Sequence, residues 1–130
     1  MDINSLSLAY LGDAVYELYI RNYLLNKGNI KVKDLQAQAV KYVSAKSQSD
    51  FLDKMLQNEF LNETEIDIIK RARNHKCHKS PKNTDIITYK KATGLEALIG
   101  YLYMNNNKMR IEKIMNYIVG ELWKYMVKML

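Results

Sequence analysis

Apolar positions recur every three or four residues along almost the whole chain, which is the spacing of helices that each bury one face. From about Ser5 to Asn26, Leu8, Leu11, Val15, Leu18 and Leu25 form one stripe, and Lys27-Gly28 offers a helix stop. The segments VKDLQAQAVKYV and SAKSQSDFLDKML predict two more helices with a bend near Ser44. In NETEIDIIKRARN, Asn62 is followed three residues later by Glu65, a capping-box start for a fourth. HKCHKSPKNTD is polar, basic and holds the only proline, so a loop is expected there. A helix resumes from about Ile87 to Met104 and Asn105-Asn106-Asn107 makes a turn. A final amphipathic helix carries Ile111, Ile114, Met115, Ile118 and Leu122 toward a core. The pattern predicts an all-α bundle of about five to seven helices, a single domain over residues 1–130.

Composition narrows the class without changing this picture. An apolar content of 48% and a charged content of 26% are those of an ordinary globular protein. The single cysteine, Cys77, excludes an intrachain disulfide and suits a reducing cytoplasm. MDINSLSLAY lacks a basic region leading into an apolar one, so no signal peptide is expected. No apolar run approaches the roughly 20 residues that span a bilayer, and bundle packing suits the last helix better than a membrane surface. A cytoplasmic location with no membrane partner is the expectation.

The net charge of +6 favours a polyanionic partner. It is concentrated in one place. Between Lys70 and Lys91 lie eight Lys or Arg and a single acid, Asp85, so the remainder of the chain is close to neutral. Arg71, Arg73, Asn74, Lys76, Lys79, Lys82 and Asn83 are the candidates for phosphate and 2′-hydroxyl contacts, with a merely solvated basic loop as the alternative.

Two acids interrupt apolar helical runs. Asp13 follows Gly12 in LGDAVYE, and Glu96 precedes Gly100 by one turn in GLEALIGYLY. A glycine on each helix permits close approach of another helix, and two such helices can bring their carboxylates together. Converging carboxylates repel unless a cation neutralises them, and hard oxygen ligands suit Mg²⁺, with Mn²⁺ as a possible substitute. Glu17, one turn beyond Asp13, is either a further ligand or a solvated partner on the helix rim. Both acids also have structural readings, as hydrogen-bonding partners beside close-packed glycines. His75, Cys77 and His78 in HKCHK have no evident fourth ligand, which disfavours zinc.

These residues resemble a known family. LAYLGDAVYEL is similar to the signature helix of the ribonuclease III family, Leu-Glu-Phe-Leu-Gly-Asp-Ala followed by apolar residues and Glu. TGLEALIGYLY resembles its second acidic motif, Asp-x-x-Glu-Ala-Leu-Ile-Gly. VSAKSQ, PKNTD and the shortness of the chain, which leaves no room for a double-stranded RNA-binding domain, look like the family's mini-ribonuclease III branch. The resemblance implies an all-α endonuclease domain and a homodimer formed through the signature helix. It places Tyr10, Leu11 and Gly12 at the dimer contact, and Asp13 and Glu96 as catalytic Mg²⁺ ligands. It further implies cleavage of double-stranded RNA to 5′-phosphate and 3′-hydroxyl ends. Precursor 23S ribosomal RNA is the implied substrate, and a ribosomal protein is a candidate for presenting it.

The chain departs from the family pattern at three acidic positions, occupied here by Leu6, Ala9 and Thr93. The mini branch shares this reduced set, so activity is expected. Asp85 either supplies a missing acid or orients a metal-bound water, or else it caps the helix that follows. A second reading is a catalytically inactive relative that binds or assembles with ribosomal RNA. A third, independent of the family, is a small helical nucleic-acid-binding module whose acids are structural.

Overall fold

A computed structural model describes residues 3–28, 30–75 and 84–128. They form six helices: α1 (Ser5–Lys27), α2 (Val32–Val43), α3 (Ala45–Gln57), α4 (Glu63–Arg73), α5 (Ile86–Met104) and α6 (Lys108–Lys128). No strand occurs among the described residues. Local chemistry sets most of the boundaries. The side chains of Asn4, Ser44, Asn62 and Asp85 each accept a hydrogen bond from a backbone N–H in the first turn of the helix they precede. The capping box of Asn62 and Glu65 is formed in both directions. Gly28, at φ +74°, ends α1 in a conformation that side chains with a Cβ resist.

The central element is α5, which packs against α1, α3 and α4. From Ala92 to Leu102 every residue except Glu96 and Tyr101 is buried, as expected of a helix that is apolar on nearly all sides. The core joins Tyr16, Ile20, Leu52, Met55, Leu95, Leu98 and Ile99 to Ile111, Ile114 and Ile118 of α6. The side chain of Leu122, expected in that core, lies outside the described residues. The Tyr16 hydroxyl donates to the Tyr42 carbonyl at 2.7 Å and ties α1 to the end of α2.

One ion pair sits in the interior. Arg110 Nε reaches Glu65 Oε2 at 2.7 Å, and the same guanidinium donates to the Phe60 carbonyl at 2.7 Å. Burial by itself would raise the Glu65 pKa, but the bonds from Arg110 and from the Asn62 N–H outweigh it and hold the carboxyl below its ordinary value. The pair joins the start of α6 to the start of α4.

On α1 the structure corrects the predicted stripe. Val15 is buried, but Leu18 and Leu25 are 65% and 67% exposed. The inward face is instead Ala9, Gly12, Val15, Tyr16, Ile20 and Leu24. Both faces of α1 are apolar, so hydrophobicity alone does not choose between them. The small residues Ala9 and Gly12 decide, because they let a second helix come closer and pack more tightly.

Candidate active site

Asp13 projects from α1 and Glu96 from α5, and two glycines set how close those helices lie. A Cβ added at Gly12 would fall 1.7 Å from the Glu96 carbonyl oxygen, and one at Gly100 would fall 2.0 Å from the Leu8 carbonyl oxygen. The helices therefore touch backbone to backbone at the level of the two acids. Gly12 is buried against α5 of its own chain. The close approach that Gly12 permits is the one that assembles the acidic pair.

The two carboxyl groups are within hydrogen-bonding reach of each other, and their environments differ. Asp13 is exposed, while Glu96 is part-buried. Burial, then a hydrogen bond and charge repulsion from Asp13, push the Glu96 pKa up to about 9, with a hydrogen bond from Gln48 acting in the opposite direction. At neutral pH the isolated pair thus keeps a proton that a bound cation would displace. Two adjacent carboxylates, one of them reachable from solvent, form a donor set that suits Mg²⁺, which keeps several of its waters.

Other expected contributors lie elsewhere. Glu17 pairs with Arg21 at 3.0 Å, one turn along its own helix, and does not join Asp13 and Glu96. Among the described residues no three His, Cys, Asp or Glu side chains gather as a metal site. Asp85 is the N-cap of α5: its carboxylate accepts from Thr88 N at 2.9 Å and from Thr88 Oγ1 at 2.8 Å. These bonds hold its pKa below the usual carboxylate value. It precedes Glu96 by eleven residues, and at about 1.5 Å of rise per residue the two stand roughly 16 Å apart along the axis. That is too far for Asp85 to share a cation with Glu96, and its carboxylate is engaged as the cap of α5. Asn is an equally good cap, so Asp85→Asn is expected to fold and cleave as wild type, whereas Asp85→Ala lowers the melting temperature. Loss of cleavage in a fully folded Asp85→Asn protein would return Asp85 to the site.

The positions where family acids are missing are filled by packing. Ala9 is 6% exposed and clusters with Ala72 and Ala97. Thr93 is buried, and its hydroxyl donates to the Tyr89 carbonyl at 3.0 Å. Leu6 is part-buried.

Tyr10 is 76% exposed and shares its side of α1 with Leu18 and Leu25, while Leu11 packs partly into the core. Arg71, Arg73 and Asn74 close α4, and Arg71 meets Asp67 in an exposed ion pair at 2.9 Å. Lys76, Lys79, Lys82 and Asn83, like Cys77 and His78, lie outside the described residues. The sequence reading missed Gln48, a buried polar residue of α3 whose Nε2 donates to the Val43 carbonyl at 3.0 Å. Its one signal was a polar residue on the stripe otherwise made by Phe51, Leu52 and Met55.

Comparison with known proteins agrees with this architecture. Residues 6–107 match the Ribonuclease III domain. The chain is 46% identical over 117 residues to the Mini-ribonuclease 3 of Enterococcus faecalis, covering 90% of this chain and 89% of that protein. It is 44% identical to the Mini-ribonuclease 3 of Staphylococcus aureus, covering 90% and 87%. A crystal structure of a Fusobacterium nucleatum protein superposes with a TM-score of 0.81 at 37% identity, covering 92% of this chain and 94% of that one. With the fold, the acidic pair and these relatives in agreement, the chain belongs to the ribonuclease III family, in its mini-ribonuclease III branch.

Proposed function

We propose that this double-strand-specific endoribonuclease hydrolyses its substrate at the Asp13–Glu96 pair with Mg²⁺, leaving 5′-phosphate and 3′-hydroxyl ends. The observation that carries the reading is the backbone contact at Gly12 and Gly100, which sets two otherwise costly carboxyl groups side by side. Asp13, at the exposed edge, is the first point of capture for a cation. Glu96 would give up the proton it holds at neutral pH and offer a second oxygen from its part-buried position. When bound, the cation offsets charge that develops at the scissile phosphate and acidifies the attacking water.

The exposed side of α1, with Tyr10, Leu18 and Leu25, supports a homodimer formed through that helix. Two acidic pairs facing one duplex would cut opposite strands at staggered positions. Precursor 23S ribosomal RNA, the substrate that the resemblance of the motifs implies, is the target this reading carries forward. No helix of the described residues is long and apolar enough to cross a membrane.

Duplex RNA incubated with the protein should be cut in the presence of Mg²⁺ and remain intact in EDTA, with products that carry 5′-phosphates. Binding without cleavage in either Mg²⁺ or Mn²⁺ would overturn the assignment in favour of an inactive RNA-binding relative. An A-form duplex exposes its backbone and hides base edges in a deep major groove, so recognition by Arg71, Arg73 and the basic residues that follow is electrostatic. Neutralising Arg71, Arg73, Lys76, Lys79 and Lys82 together is expected to flatten the plot of log affinity against log salt. The slope should fall by about one unit for each phosphate that the wild-type side chains neutralise. An unchanged slope would remove this segment from the RNA-binding surface.

A further inference from the structure

Where the first turn of α5 meets the start of α3, the surface folds into a pocket of about 420 Å³. Lys46, Ser49 and Asp50 stand on the α3 side, and Thr84, Asp85 and Thr88 on the other. Thr84 is where the described chain resumes after the basic segment, and Thr88 precedes Glu96 by eight residues, about 12 Å along α5. The pocket therefore adjoins the candidate RNA-binding segment along the chain and the acidic pair along the helix. Asp85 is already engaged, since both its oxygens accept from Thr88. Three other groups are not. Ser49 is only 5% exposed, yet its hydroxyl has no hydrogen-bond partner among the described residues. Gln48 Oε1 is the one unpartnered side-chain atom sealed from solvent, so the Ser49 oxygen opens to the pocket that it lines. Lys46 and Asp50, one turn apart on the same face of α3, are exposed and make no ion pair among the described residues.

We propose that this pocket is a ribose subsite: a 2′-hydroxyl of the duplex donates to the Asp50 carboxylate and accepts from the Ser49 hydroxyl, while Lys46 meets a neighbouring phosphate. The inference rests on reading the protein as one that binds duplex RNA, and adds to that reading the residues that tell RNA from DNA. A solvated helix rim accounts for Lys46 and Asp50 but not for Ser49. Alanine is the better helix former and would leave no hydroxyl unpaired in a buried position. The mixture of charges narrows the ligand. A free phosphate would meet Asp50 and Asp85 as well as Lys46, and a cation would meet Lys46. A 2′-hydroxyl is both donor and acceptor, it sits beside a phosphodiester, and the wide, shallow minor groove of A-form RNA displays it to side chains. An acceptor, a hydroxyl and a cation within two turns of one helix are the complement of that group.

The test measures equilibrium binding in EDTA, where nothing is cut, by fluorescence anisotropy of a labelled duplex. Two probes are compared: an RNA duplex, and the same duplex with one strand replaced by DNA, which keeps A-form geometry. The proteins are wild type, Asp50→Ala, Ser49→Ala and Lys46→Ala, each with its melting temperature. Removing an acid from a protein that binds a polyanion ordinarily strengthens binding, because a repulsion is lost. The subsite reverses that sign. Asp50→Ala is expected to bind the RNA duplex about 10-fold or more weakly, the loss of a hydrogen bond to a charged group, and the hybrid with a smaller loss. Ser49→Ala is expected to lose about 2- to 10-fold on RNA, again with a narrowed preference over the hybrid, while melting at or above wild type. Lys46→Ala should weaken both probes alike and lower the slope of log affinity against log salt by about one. RNA binding by Asp50→Ala as tight as wild type or tighter would overturn the proposal. An unchanged RNA-to-hybrid ratio in Ser49→Ala, whatever its melting temperature, would overturn it equally. Wild type separates the two levels. If it does not bind the RNA duplex, the underlying reading fails and the subsite fails with it. If it prefers RNA and the variants keep that preference, only the subsite is lost.

Discussion

Gly12→Ala is expected to lower the melting temperature by more than about 10 °C, corresponding to about 3 kcal/mol or more in a domain of this size. The added Cβ would lie 1.7 Å from the Glu96 carbonyl oxygen, with the Gly100 nitrogen at 2.8 Å. Neither atom is the movable end of a side chain. Both belong to the backbone of α5, the helix at the centre of the core. The clash is relieved only if α1 and α5 move apart, and that opens the packing of Tyr16 and Ile20 against Leu95, Leu98 and Ile99. Gly100→Ala, 2.0 Å from the Leu8 carbonyl oxygen, should behave in the same way. Gly120 provides the control, since a Cβ there meets nothing within 4 Å. Replacing it with Ala in a helix is expected to stabilise by up to about 1 kcal/mol. Thermal unfolding followed by circular dichroism reads all three, and a wild-type melting temperature for Gly12→Ala would contradict the backbone contact.

The second large effect is on catalysis. Asp13→Asn and Glu96→Gln are each expected to reduce kcat by about 10³-fold or more, the loss that follows from removing several kcal/mol of metal-dependent stabilisation. Duplex affinity measured without turnover should persist in both. Glu96→Gln carries a further signature in stability. With the carboxyl at its ordinary 4.5 when unfolded and about 9 when folded, the native state retains a proton that the unfolded chain has released. The stability contributed by Glu96 is fully present below about pH 4.5 and is lost as the pH rises through about 9. In metal-free buffer Glu96→Gln should therefore melt higher than wild type at alkaline pH, with the gap closing by about pH 4. A variant that is catalytically dead yet more stable at high pH would reflect a residue kept for chemistry at the expense of the fold. A Glu96→Gln protein less stable than wild type at about pH 9 would refute the strained acidic pair.

The acidic pair was legible in the sequence because each acid breaks a pattern. Asp13 and Glu96 interrupt apolar runs, and each lies beside a glycine that a plain amphipathic helix does not need. Asp85 was ambiguous for a physical reason: a carboxylate three residues before a helical Thr is a good cap whether or not it has another task. The structure shows the cap and sets the residue about three turns from Glu96. Glu17 was attributed to the site on helical spacing, but the same spacing offers Arg21, which pairs with it. Gln48 was not legible as a site residue. Its burial comes from the packing of α3 on α5, which joins segments far apart in the chain.

What the sequence determined by itself is local: the helical segments, the capping box at Asn62, the break at Gly28, and motifs sufficient to identify the family. Those properties depend on residues within a turn or two of one another, where backbone hydrogen bonding and side-chain periodicity act directly. The tertiary structure decided which face of α1 turns inward, that Gly12 meets its own chain, and that Gln48 is buried. An apolar face is attracted to any other apolar face with little regard to direction. The choice among faces is made by shape, here by two glycines distant in the chain whose missing Cβ atoms let two backbones meet.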